Sequence, residues 1–303
     1  MSAANLETIT AVLPKGAPVP RRRFGKRSTW QTIIWVIVVL ALTAIILYPL
    51  AWMISASFKP TAEFGANQGF FPHNPTIDNY FKVVEGVGGV PLWQFFANSF
   101  LLAVGSVVGT VMSASLAAYA FARIRFKGSG VWFAVMIGTL LLPFHVLIIP
   151  QYMLYRSLDL VDTFVPLLLG KFLATEAFFV FLIVQFIRAL PRDMDEAARI
   201  DGCGHWRIYW SIILPLVKPA LVTASIFAFI WSWNDFLGPL LYLNSTELYP
   251  LPLALRVFND QTSTSDYGAT VAVSVLALLP ILIFFMIFQR FLVEGVSTQG
   301  LKG

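Results

Sequence analysis

Charge is what this sequence has least of. Asp, Glu, Lys and Arg make up 12% of its 303 residues, about half the share carried by soluble domains. The shortage is uneven: none of the four occurs in Ser28–Phe58, Gly86–Ala122, Gly128–Tyr155, Pro219–Asn234 or Tyr267–Gln289. A single cysteine, Cys203, excludes an internal disulfide framework. His73, His145 and His205 are scattered and form no metal-ligand cluster with it. The phosphate cradle GxxxxGK[ST] is missing, since Gly86-Val87-Gly88-Gly89 runs into Val90-Pro91 with no Lys. The chain therefore cannot hydrolyse ATP by itself. No nucleophile–base pairing stands out, so it is not read as an enzyme. No internal repeat is visible.

What the sequence has in abundance is apolar length, with 57% hydrophobic residues. Lipid offers no hydrogen-bond partners to the backbone, so a crossing chain must be helical or form a closed barrel. Barrel strands alternate over short segments, whereas these runs are continuous and all but Pro219–Asn234 exceed the roughly 20 residues a helix needs to cross. The fold class is therefore all-α integral membrane, with about six transmembrane helices near 30–54, 96–121, 131–154, 164–187, 216–240 and 268–289. Residues 1–29 and 294–303 are tails around a transmembrane domain at 30–293. The apolar stretch after Arg21, Arg22, Arg23, Lys26 and Arg27 is too long for a signal-peptide core and is read as an uncleaved first span.

Cations are retained on the cytoplasmic side. Six spans put 16 of the 21 Lys and Arg on the side of the two termini, and only Lys59, Lys82, Arg156 and Arg256 on the other. Both termini are thus expected in the cytoplasm. The net charge of +5 is a topology signal and not a nucleic-acid footprint.

One inner loop, 190–215, is unusually long and rich in charge. It reads as a short helix, a break and a second amphipathic helix. Asp193 and Asp195 suit the positive end of the first helix. Arg199 stands four residues after Asp195 and three after Glu196, spacings that favour pairing along one helix. Gly202 and Gly204 are expected to end it with positive φ. Pro215 and Pro219 then permit a bend into the fifth span. On physics alone, this segment equally suits an interfacial loop lying on headgroups.

Glu196-Ala197-Ala198, then Asp201-Gly202, then Ile213-Leu214-Pro215 resembles the EAA signature of ABC importer permeases. The likeness extends along the chain toward the carbohydrate branch, the maltose-type second permease. Phe71-Pro72-His73-Asn74-Pro75, Asn98-Ser99-Phe100, Leu158-Asp159-Leu160-Val161-Asp162-Thr163 and Trp233-Asn234-Asp235-Phe236 are similar to its patterns. Cys203 departs from it, where Ala is usual. The resemblance implies a multi-pass permease of the bacterial cytoplasmic membrane, forming half of a sugar pathway. Its implied partners are a second, homologous permease, an ABC ATPase dimer and an extracytoplasmic sugar-binding protein. No cofactor is expected in this chain, because ATP and Mg belong to the ATPase. Glu196, Ala197, Ala198, Asp201, Gly202 and Pro215 would form the coupling helix that docks on the ATPase.

Charges at membrane depth are costly and point to function. Lys171 and Glu176 fall inside the fourth expected span, 164–187. On an unbroken helix they stand about 140° apart, so separate partners are expected. Glu176, Asn234, Asp235 and Trp233 are the candidate pathway residues, each weighed against ion-pairing, capping or packing. Trp231 is a further stacking candidate and His145 a packing residue between Pro143 and Pro150. Gly105, Gly109 and Ser113 form a small-residue stripe, the usual sign of close helix packing, with the interface to a second permease as one place for it. The alternative function class is an ion-gradient-driven secondary transporter, in which Lys171 and Glu176 would relay protons.

Overall fold

In the computed structural model of the chain, residues 29–66, 69–261 and 266–297 are described. Among them the regular structure is helical apart from an isolated bridge between Val87 and Val90. By its internal contacts the chain divides between Ala51 and Trp52. Helix α1, Thr29–Ala56, supplies the whole described part of the first unit, where its apolar side chains are exposed, as a lipid-facing helix requires.

The second unit begins with the end of α1 and a polar hairpin of chain. Short helices α2 (Glu63–Ala66) and α3 (Asp78–Glu85) precede α4, Leu92–Arg123, the longest helix of the unit. Pro91 sits just before α4, where its missing N–H costs nothing, and Arg123 closes it at the negative end of the dipole. Helices α5 (Ser129–Thr139) and α6 (Phe144–Ser157) follow, then α7 (Val165–Phe172) and α8 (Ala177–Ala189). Next come α9 (Asp193–Ile200), α10 (His205–Ile208), a π-helical turn at Tyr209–Ile213 and α11 (Leu214–Leu216). The chain finishes with α12 (Lys218–Trp233), α13 (Leu237–Tyr242), α14 (Leu251–Gln261) and α15 (Tyr267–Ser297).

Four stretches among the described residues are long and apolar enough to cross a membrane: α1, α4, Val165–Ala189 and Tyr267–Gln289. A fifth exists if His205–Leu216 and α12, bent by 76° at Val217, are one span. The run expected as a single span at 131–154 is two shorter helices, α5 and α6, broken ahead of Pro143. Proline there has no N–H to donate and pushes the residue before it out of the helical region.

Two apolar cores lie along α4 and α12. One joins Ala114, Ala118 and Ala122 of α4 to Phe179, Val180, Ile183 and Ile187 of α8, and to Ile208 and Ile213 of the loop beyond α9. The other joins Phe95 and Ala103 of α4 to Phe229 and Trp233 of α12, Leu251 and Ala254 of α14, and Ala272 of α15. Small residues on α4 let its neighbours approach closely. A Cβ at Gly105 would lie 3.0 Å from the Leu168 side chain, and one at Gly109 2.8 Å from Phe172. Ser113 donates to the Lys171 carbonyl at 2.6 Å. The small-residue stripe is therefore filled by α7 of the same chain, not by a second permease. Sequence spacing marks a close contact but not which helix makes it.

At the end of the unit opposite the long α9 loop, Asp162 clasps two connections together. Its φ is 64°, and its Oδ1 accepts the amides of Asn244 (2.8 Å) and Ser245 (2.9 Å), while its own N–H donates to Tyr242 O at 2.7 Å.

Candidate functional site

The loop carrying Glu196 to Gly202 is held firmly on one side and presented on the other. Asp193, Asp195 and Glu196 occupy the first turn of α9, matching the positive end of its dipole. The helix stops at Gly202, whose φ of +78° suits a residue without a Cβ, and the Cys203 amide then reaches back to Ala198 O at 2.9 Å. Gly204 has φ −72°, so only the first of the two glycines takes the left-handed turn expected of both. Pro215 lies exposed in α11, just before the bend at Val217.

Asp195 does not pair with Arg199. It turns inward to Arg123 at the end of α4, with Nε to Oδ2 at 2.8 Å and side-chain exposures of 3% and 9%. Arg123 also donates from Nη2 to Leu190 O at 2.9 Å. The expected pairing assumed a solvated face, but burial of Asp195 favours a cation already desolvated beside it. Tyr119 donates to His205 O at 3.2 Å, and Ser115 and Tyr209 share a hydrogen bond of 2.8 Å. Ala198, Ile208, Tyr209 and Ile213 are buried beneath them. Facing outward are Glu196, Ala197, Asp201 and Gly202, with Ile200 87% exposed and Trp206 64% exposed. Arg123, Arg125, Arg192 and Arg199 share a polar recess of about 340 Å³ with Asp195 and Glu196 beside this face. Arg123, Tyr119 and Ser115 are anchors that spacing within the loop does not reveal. Arg123 was visible only as the charge ending a long uncharged run.

The second constellation lies at the break between α7 and α8. Lys171 and Glu176 form an ion pair with each other, against the expectation of separate partners. The helix is not continuous: α7 ends at Phe172, α8 starts at Ala177, and Ala174 stands at φ 54°. That left-handed residue resets the angular register and brings both side chains to one side. The other oxygen of Glu176 accepts from Thr110 at 3.1 Å. Lys171 lines a cavity of about 350 Å³ with Ser106, Trp231, Ser232 and Asp235. Asp235 accepts from the Gly238 amide at 3.0 Å, and Ser106 and Ser232 stand 3.1 Å apart.

Trp233 and Asn234 are not part of this cavity. Trp233 is buried against Phe100 and Phe229 and donates to Ala277 O at 3.3 Å, while Asn234 donates to Ile230 O at 2.8 Å. Both border a separate, mainly apolar recess of about 280 Å³ near Leu251 and Leu255. Trp231, two residues before Trp233 and so about 200° from it around α12, borders the first cavity instead. The backbone of His145 belongs to α6, but its side chain lies outside the described residues, as do those of 290–303 and the whole tail before Thr29.

The chain resembles known proteins in sequence and in fold. The family described as binding-protein-dependent transport system inner membrane component matches residues 109–298. The chain is 34% identical over 283 residues to the arabinooligosaccharides transport system permease protein AraQ of Halalkalibacterium halodurans, covering 92% of this chain and 100% of that one. It is 32% identical over 285 residues to the diacetylchitobiose uptake system permease protein DasC of Streptomyces coelicolor, covering 93% and 99%. A bacterial ABC transporter involved in the import of the acidic polysaccharide alginate has a chain of the same fold, with TM-score 0.75 at 24% identity, covering 88% of this chain and 98% of that one.

Proposed function

The chain belongs to the family of binding-protein-dependent transport system inner membrane components, and from that premise we propose that it imports a carbohydrate, working with an ABC ATPase that docks on α9. As a family member it is a multi-pass membrane permease and not an enzyme. The observation that carries the docking assignment is the two-sidedness of α9. Asp195 and Ala198 are buried against the helical core, while Glu196, Ala197 and Ile200 are exposed on a helix ended by a left-handed glycine. A helix fixed on one side and bare on the other transmits a push applied to the bare side as a rigid-body movement.

Six spans with both termini in the cytoplasm fit this reading, with α5 and α6 together as the third crossing and the bent pair at Val217 as the fifth. The cation asymmetry supports that orientation. A second, homologous permease completes the pathway, an extracytoplasmic binding protein delivers the sugar, and ATP with Mg is bound by the ATPase. Oligosaccharides are the favoured cargo class, since AraQ and DasC are both named for oligosaccharide or disaccharide uptake.

The test is purification of the complex in mild detergent from its native strain, followed by uptake in sealed vesicles. The expected result is co-purification of an ATPase and a second permease, with sugar uptake that stops on ATP depletion and survives collapse of ion gradients. A chain that runs alone and transports only while a proton gradient is present would overturn it in favour of a secondary transporter.

A further inference from the structure

The cavity at the break between α7 and α8 carries a charge balance that restricts what it can hold. Its single cation, Lys171, is already matched by Glu176, whose second oxygen is taken by Thr110. The remaining ionisable group on the wall is the carboxyl of Asp235. Whether that carboxyl is charged or protonated, no uncompensated positive charge lines the cavity among the described residues of this chain. An anionic solute would lose its hydration there and gain no ion-pair partner, which is unfavourable in a low-dielectric site.

The other walls suit a hydroxylated ring. Asp235, Ser106, Ser232 and the ammonium of Lys171 offer acceptors and donors within one space. Trp231 is 45% exposed and is held by tilted contacts with Phe178, Phe179 and Phe227. A rigid, half-open indole offers an apolar face to pack on the apolar face of a sugar ring. At about 350 Å³, the cavity stands at the small end of ligand-sized sites.

We infer that this cavity is a subsite for an uncharged sugar unit, with Trp231 and Asp235 touching the sugar and Glu176 acting as a positioning residue that neutralises and orients Lys171. The inference rests on the carbohydrate-import reading. It sets this chain apart from the fold relative whose cargo is the acidic polysaccharide alginate.

The experiment uses the whole importer with its own binding protein in proteoliposomes. Probes are radiolabelled maltose, cellobiose, arabinobiose and diacetylchitobiose as uncharged sugars, and digalacturonate as the anionic one. Accumulation of at least one uncharged sugar, with none of digalacturonate, is expected. Trp231→Ala and Asp235→Ala should each lower that uptake by about tenfold, while the amount of assembled complex recovered in mild detergent stays at the wild-type level. Trp231→Phe should restore most of the uptake, which separates ring packing from misfolding. In Glu176→Gln, the unmatched Lys171 should make digalacturonate an inhibitor of uptake where it was inert. Accumulation of digalacturonate by the wild type in preference to the uncharged sugars, or wild-type uptake by both alanine variants, would overturn the subsite. Loss of all ATP-dependent uptake of any sugar by the wild type would instead overturn the carbohydrate-import reading itself.

Discussion

Arg123 and Asp195 join the end of α4 to the first turn of α9 through an ion pair that is almost wholly buried, with 2.8 Å between Nε and Oδ2. Two charges withdrawn from water contribute little net stability as a pair, but either one left alone is costly. Arg123→Met should therefore destabilise the protein by about 3–5 kcal/mol, read as a lower unfolding midpoint in detergent. Asp195→Leu should do much the same. The double variant, which leaves neither charge uncompensated, should recover a large part of the loss. Simple addition of the two single effects would mean that the residues act independently and that the pair does not set the position of α9.

Acid should loosen the clasp made by Asp162. The hydroxyl of Ser245 is the strongest influence on its carboxyl, followed by the amides of Ser245 and Asn244, and together they hold its pKa below the usual carboxylate value. A carboxyl whose folded pKa is depressed adds stability above its unfolded pKa and loses it as pH falls through the folded one. The wild type should thus be more stable than Asp162→Asn across neutral pH. That advantage should shrink below about pH 4, as the wild-type carboxyl is protonated. Asn tolerates the left-handed backbone at this position, so the comparison changes the carboxylate and not the backbone. A stability difference independent of pH would assign the clasp to shape alone.

Much of this arrangement was legible in the order of residues, for physical reasons that also mark where reading fails. Long uncharged runs disclose helices because lipid leaves the backbone no alternative. The α9 loop was legible because its acidic start and its glycine end are local signals, as is the bend between Pro215 and Pro219. Pairings across the fold were not. Asp195 has a cation four residues away and yet pairs with Arg123, since burial decides the partner and burial is a property of the packed chain. Helical spacing sets Lys171 and Glu176 apart because nothing between them announces a break. The left-handed residue is Ala174, not a glycine or asparagine, so the usual turn signal is missing. In sequence, Trp233 is favoured over Trp231 as a pathway residue, although two tryptophans so close together carry no signal of which faces a cavity. Only packing shows that Trp231 borders the polar cavity and Trp233 is buried in the core.

The two glycines after α9 allow backbone conformation to be separated from size. A Cβ at Gly202 or at Gly204 would meet nothing within 4 Å, so neither substitution clashes inside the chain. They differ in φ, +78° at Gly202 and −72° at Gly204. A side chain in the left-handed region costs about 1–2 kcal/mol, whereas alanine at negative φ costs nothing and slightly restricts the unfolded chain. Gly202→Ala should therefore weaken hydrogen-exchange protection of α9 and lower ATP-dependent uptake several-fold, and Gly202→Val should be worse. Gly202→Asn should retain more activity than either, because asparagine accepts positive φ. Gly204→Ala should leave both measurements close to the wild type. If Gly204→Ala proved as damaging as Gly202→Ala, the small size of both positions against a docked partner, and not the left-handed turn, would be what the loop requires.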